Sequence, residues 1–353
     1  MQFSRLKAAV VAVAALLVST FSAAAEVPAP KESDFVLTDF KFHDGTTMDV
    51  KVHYYTIGDA ANEPIVLLHG TTGSGKGMMS PNFADALFGE GQPFDASTHF
   101  LIFPDAIGTG GTTKPSDGLR AKFPRYNYDD MVDAQYRLLK EGLGLDHVRL
   151  IFGYSMGGMN VWTWGVRYPD YADALIPMAA LPGPMAGRNW IMRRMLIDSV
   201  RTDPAWNNGD YTEQPPNLRL ASAWYGLATF GGDQGLWAKA PTNAQADALV
   251  DERLATAKVG DANDVMYQWD ASRDFDPSPD LEKITAHLLV INSDDDERNP
   301  LSLGILEAAM PRVKNGQVYI IPGGPSTSGH GTPAQAALYA DKVAEFLARV
   351  PKR

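Results

Sequence analysis

Gly153-Tyr154-Ser155-Met156-Gly157 constrains this chain more than any other stretch, because it joins a short apolar run, residues 148–152, to a helical pattern from Met159 onward. A buried strand that turns straight into a helix leaves no room for a Cβ two residues before or after the bend, and glycine fills both places. The strained bend lifts the Ser155 hydroxyl above the sheet, and the following helix points its N-terminal amides at the same spot; this is the nucleophile-elbow pattern. Glycine makes up 32 of 353 residues. At that frequency a chance serine is flanked this way about once in 120 cases, so the strand before and the helix after must decide. The alternative is an ordinary serine in a strand-to-helix turn.

The rest of the chain supplies a sheet for this bend to sit on. Apolar runs at 65–68, 100–103, 174–179, 287–291 and 318–321 read as further buried strands, and 128–141 has helical spacing in Met131, Ala134, Leu138 and Leu139. Extended segments 35–42 and 48–56 flank Asp44-Gly45, a strong hairpin signal, and should form an antiparallel edge. The Pro/Ala-rich lead, 26–33, reads as a flexible arm. Strands alternating with helices predict an α/β protein with a mostly parallel sheet and helices on both faces. Between 181 and 275 the strand runs stop. That segment holds Trp190, Trp206, Trp224, Trp237 and Trp269 among helix-like stretches at 189–200 and 243–258, and it reads as a helical cap inserted between two parts of the core, 26–180 and 276–353. Taken singly, each tryptophan is core filling; as a group, some should line a substrate cavity.

Residues 1–25 read as a secretory signal peptide. Arg5 and Lys7 precede an apolar run over 8–18 that is too short for a bilayer and ends at Ala23-Ala24-Ala25, a cleavage-like site. The expected location is therefore periplasmic or secreted. Loss of Arg5 and Lys7 moves the formal charge from −11 to −13. A chain this acidic, with no basic cluster, is a poor partner for nucleic acid or anionic lipid. No second run of eighteen apolar residues occurs, so no membrane contact is expected after signal cleavage. The absence of cysteine excludes disulfides and thiolate metal sites, and the seven histidines are scattered. No metal and no cofactor are expected.

A serine hydroxyl becomes a nucleophile when an imidazole takes its proton and a carboxylate steadies that imidazole. In an elbow protein the chain order is serine, acid, histidine. The strand run at 287–291 leads into Asn292-Ser293-Asp294-Asp295-Asp296, and the run at 318–321 leads into a glycine-rich loop around His330. His330 is the expected base. Successive aspartates alternate in direction, so one should face His330; Asp295 is chosen, with Asp296 second. The oxyanion donors expected are the amides of Met156 and Thr71, with Thr72 the alternative to Thr71. His69 reads as support for that loop. Gly70 to Gly77 nearly spells a phosphate-binding loop, but Gly77 stands where a hydroxyl should hold Mg²⁺.

These residues resemble the α/β-hydrolase superfamily, and within it the homoserine O-acetyltransferase-like branch. The likeness lies in Phe123-Pro124-Arg125-Tyr126-Asn127-Tyr128-Asp129-Asp130-Met131, in Gly153 to Met159, in Arg167-Tyr168-Pro169-Asp170, and in Asp203-Pro204-Ala205-Trp206 with Gly209-Asp210-Tyr211. It implies an eight-stranded sheet and an acyl-enzyme on Ser155. It also implies a cap arginine for the acceptor's carboxylate, yet no arginine occurs between Arg219 and Arg253. The acid loop departs too, with Asp295-Asp296-Glu297-Arg298-Asn299-Pro300 where the family has an aspartate followed by a hydrophobic pair. Because acetyl-CoA is a cytoplasmic donor, export favours water as the acceptor. The reading is an exported serine hydrolase acting on a small-molecule acyl substrate. Its alternatives are an acyltransferase and an inactive binding protein on the same fold. The sequence leaves homodimer formation open.

Overall fold

The computed structural model describes residues 27–257 and 260–352, so the signal peptide expected over residues 1–25 lies outside the described residues. Among the described residues eight strands, β1 (Lys31–Lys41), β2 (Thr47–Ile57), β3 (Glu63–Leu68), β4 (His99–Pro104), β5 (Val148–Tyr154), β6 (Ala172–Met178), β7 (His287–Ser293) and β8 (Gly316–Ile321), form one sheet. Their order is β1-β2-β4-β3-β5-β6-β7-β8. β2 pairs antiparallel with both β1 and β4, and every pairing from β4 to β8 is parallel. The expected antiparallel edge is thus present, turned at Gly45 with φ +88°. The arm expected at 26–33 is shorter than the sequence suggests. Lys31 already pairs with Thr56, and Glu32 and Ser33 continue the ladder through backbone atoms while their side chains stay exposed.

Among the described residues ten α-helices accompany the sheet: α1 (Pro81–Ala84), α2 (Tyr128–Arg137), α3 (Met156–Arg167), α4 (Gly187–Arg201), α5 (Asn217–Thr229), α6 (Asp233–Lys239), α7 (Asn243–Thr256), α8 (Ala262–Asp270), α9 (Ile305–Ala309) and α10 (Ala340–Leu347). α2 starts sharply because the Asn127 side chain accepts the Asp130 N–H while Asp130 accepts the Asn127 N–H, satisfying two otherwise orphaned donors. α3 is buried on every side from Met156 to Gly165. Its two indoles therefore need partners, and Trp162 donates to Ala180 O at 3.1 Å while Trp164 donates to Gln135 Oε1 at 2.8 Å.

Each face of the sheet has its own apolar cluster, one built on Val66, Ile151, Trp162 and Val290, the other on Leu67, Phe103, Phe152 and Ile291. Alternate residues of one strand feed opposite clusters, as the two-residue strand period requires. The helices between β6 and β7 form a third cluster, in which α4, α5 and α8 meet through Leu196, Ile197, Leu218, Tyr225, Val265 and Trp269. Such side chains are worth roughly 1.5–3 kcal/mol each when fully buried, so this helical segment has apolar packing of its own above the sheet. Of its tryptophans, Trp269 lines a cavity over Ser155, while Trp224 and Trp237 are exposed.

Candidate active site

Ser155 lies between the end of β5 and the first residue of α3, with φ +55° and ψ −118°. This is a strained conformation for a residue with a side chain. It is held by the Ser155 N–H donating to Met178 O at 2.9 Å and by the flanking glycines. A Cβ on Gly157 would stand 2.1 Å from Leu68 O, and one on Gly153 would stand 2.5 Å from the Gly157 carbonyl. The helix begins at Met156, three residues earlier than its periodicity suggests. The Met156 amide is therefore in its first turn, next to the serine.

The loop after β8 brings His330 to Ser155, with Nε2 2.8 Å from Oγ. On the other side of the ring, Nδ1 lies 2.9 and 3.0 Å from the two carboxylate oxygens of Asp296. The expectation that Asp295 faces the imidazole is corrected here. The Asp294 N–H still donates to Ile321 O, extending the β7–β8 ladder by one residue, and the chain then turns with the Asp296 N–H on Ser293 O. That turn sends Asp296 inward. Asp295 is directed to the loop after β8 instead, where its carboxylate accepts from Thr327 Oγ1 at 2.6 Å and also from Ser293 Oγ. Asp295 thus holds the histidine loop without touching the ring, and Asp294 is exposed.

All three members of this chain are shielded, with Ser155 6%, His330 5% and Asp296 2% exposed, so their hydrogen bonds have little competition from water. Burial pushes the His330 pKa below its ordinary value, helped by the charges of Arg298 and Arg193 and opposed by Asp296. The ring is therefore neutral, as a base must be, at neutral pH. Burial alone would raise Asp296. The imidazole's charge and hydrogen bond, together with Asn299 and the Arg298 amide, outweigh burial and hold its carboxyl below the usual range. Asn299 Nδ2 also donates to Ala179 O at 2.8 Å, pinning the acid to the end of β6.

Two residues without any motif signal complete the support. Glu297 accepts the His330 N–H at 2.9 Å through one oxygen and the Gly232 N–H at 2.7 Å through the other, tying the histidine loop to the helical segment. Gln268 on α8 accepts the Thr72 N–H at 2.9 Å and donates to Gly108 O at 2.7 Å. The Thr72 amide is thereby occupied, which leaves Thr71 as the remaining choice in that loop. Thr71 borders the same cavity as Ser155. Gly70, just before it, is close enough that an added Cβ would lie 3.5 Å from the Ser155 Cβ. His69 does support the loop: its Nε2 accepts the Ala106 N–H at 3.1 Å and its Nδ1 donates to Gly70 O at 2.8 Å. The cavity over Ser155 holds about 650 Å³ and is bordered by His330, Thr71, Tyr225, Trp269, Asp264 and Arg298 among others.

Residues 63–223 match the family model described as alpha/beta hydrolase fold. A homoserine O-acetyltransferase of Chlorobium chlorochromatii is 37% identical over 172 residues, 45% of this chain and 46% of that protein. A homoserine O-succinyltransferase of Magnetococcus marinus is 29% identical over 308 residues, 72% of this chain and 77% of that protein. For most of these curated relatives the chain spans about half of their length. Among solved structures, an acetylester hydrolase from Corynebacterium glutamicum superposes with a TM-score of 0.77 at 20% identity, covering 90% of this chain and 96% of that one, a likeness of fold. The chain has the α/β-hydrolase fold. Its sequence is similar, over part of their length, to homoserine O-acyltransferases.

Proposed function

We propose that this chain moves an acyl group from a donor to the hydroxyl of a small acceptor by way of an acyl-Ser155 intermediate. The observation that carries the chemistry is the 2.8 Å contact between His330 Nε2 and Ser155 Oγ, with Asp296 behind the ring. His330 takes the Ser155 proton as Oγ bonds to the donor's carbonyl carbon, then returns it to the leaving group as the donor's bond breaks. The amides of Met156 and Thr71 are the donors for the oxyanion. In the second half the acceptor hydroxyl gives its proton to His330 and attacks the acyl carbon, and the Ser155 oxygen leaves with that proton. Transfer is preferred over hydrolysis because the sequence relatives are homoserine O-acyltransferases.

Water as acceptor is the second reading. It is favoured by the missing arginine between Arg219 and Arg253 and by the N-terminal sequence, from which we infer export away from cytoplasmic acyl-CoA. Product partition separates the two. With p-nitrophenyl acetate as donor and L-homoserine added to saturation, O-acetylhomoserine should be the main product; acetate as the main product at every homoserine concentration would select hydrolysis.

A further inference from the structure

The loop after β3 contains a backbone conformation that its own residues do not favour. The Gly73 N–H donates to Gly70 O at 3.0 Å, closing a four-residue turn whose central residues are Thr71 and Thr72. Thr72 has φ +62°, while Thr71 keeps a negative φ. These signs are those of a type II turn, which asks for glycine or asparagine at its third position. A β-branched residue there is strained. Turning the Thr71–Thr72 peptide over would give a type I turn, with both φ values negative, and would release Thr72.

Gln268 opposes that rotation. Its Oε1 accepts the Thr72 N–H at 2.9 Å, and its Nε2 donates to Gly108 O at 2.7 Å in the loop after β4. The two partners fix which end of the amide is which, since one can only donate and the other can only accept. With the peptide reversed, the Thr71 carbonyl would face Oε1, oxygen against oxygen. Gln268 is 4% exposed, so little water competes for either end. Its helix is in turn fastened to the core. Asp264 accepts the Ser116 N–H at 2.8 Å and the Ser116 Oγ at 2.7 Å, and the Tyr267 hydroxyl lies 2.9 Å from Phe123 O and 3.0 Å from Ala121 O. Gln268 therefore carries the placement of α8 to the turn, from a helix whose Val265 and Trp269 border the same cavity as Thr71 and Ser155.

We propose that Gln268 is a positioning residue for the oxyanion donor: it holds the Thr71–Thr72 peptide in the strained orientation on which the Thr71 amide depends, so that the donor is in place only while α8 is seated on the core. Reversal of the peptide is shared between ψ of Thr71 and φ of Thr72, and the Thr71 N–H loses its fixed direction once that rotation is free. Gln268 acts through the turn and on no reacting atom. The role rests on the reading of Ser155 as nucleophile and of the Thr71 amide as oxyanion donor.

A double-substitution cycle on the purified chain separates positioning from general support of the fold. With p-nitrophenyl acetate, Gln268→Met should lower kcat about tenfold or more while KM changes by no more than about threefold, because an oxyanion donor acts on the transition state. In a Thr72→Gly background glycine holds the positive φ without strain, so the same Gln268→Met change should cost about threefold or less. Gln268→Asn, one methylene short of its partners, gives the same comparison if the methionine chain does not fold. An unchanged kcat, or an equal loss in both backgrounds, overturns the positioning role; an equal loss is what mere support of α8 would produce. Labelling of Ser155 by a fluorophosphonate keeps the two readings apart. Labelling together with an equal loss removes the positioning role alone, and absent labelling of folded protein removes the nucleophile and the positioning role together.

Discussion

Asp296→Asn should lower kcat on an activated ester by about 10³- to 10⁴-fold, whereas Asp295→Asn should cost only a few fold. The difference follows from what each carboxylate holds. Asp296 accepts from His330 Nδ1, so it fixes the tautomer that leaves Nε2 free to take the Ser155 proton, and it steadies the imidazolium that forms. An amide there can present its NH₂ to Nδ1, which favours the wrong tautomer. Asp295 never reaches the ring. Its partners are Ser293, Thr327 and the Gly329 amide, so its loss loosens the histidine loop and should appear as a lower melting temperature more than as a lower kcat. Paired measurement of kcat and thermal unfolding on the two variants checks this. Equal losses of activity would mean that neither carboxylate acts through His330 as described.

Gly157→Ala should be among the most damaging single methyl groups that can be added to the core. The new Cβ would meet Leu68 O at 2.1 Å, the Leu68 carbonyl carbon at 2.6 Å and His69 O at 2.9 Å, all backbone atoms of β3 and the loop that follows it. No side-chain rotation relieves such a contact, so α3 must move off the sheet and carry the Ser155 bend with it. The cost should be about 3–5 kcal/mol, at the upper end of single-substitution effects, with activity lost in whatever protein still folds. Gly226→Ala on α5 is the control, because a Cβ there meets nothing within 4 Å and alanine suits a helix better than glycine. Urea unfolding of both variants should give a large loss for the first and no loss for the second. A Gly157→Ala chain as stable as the unsubstituted one would mean that β5 and α3 are not this tightly joined.

The sequence carried the fold well where neighbours along the chain decide the structure. The bend at Ser155 and each apolar strand run are local patterns, and all the runs became strands of the one sheet. The histidine was legible because glycines surround it and the order along the chain fits. The acid was not, because three identical side chains occur in a row and the deciding fact is where the ladder ends. One extra hydrogen bond from Asp294 to Ile321 delays the turn and exchanges the roles of the next two residues. β1 starts early for a related reason: Lys31, Glu32 and Ser33 bury no side chains and join only by backbone pairing, which hydrophobic alternation cannot reveal. Gln268 is 196 residues from the Thr72 amide it accepts, and Glu297 joins two loops from the middle of an acidic run. Such residues show themselves only when the helices between β6 and β7 have been folded over the sheet.

The most direct measurement is intact-mass spectrometry of the chain quenched within the first turnover of p-nitrophenyl acetate, followed by peptide mapping. The predicted result is one added acetyl group, placed on Ser155 and absent from Ser155→Ala. Release of p-nitrophenol by folded protein with no adduct, or with the acetyl group on another residue, would contradict an acyl-serine enzyme at this site.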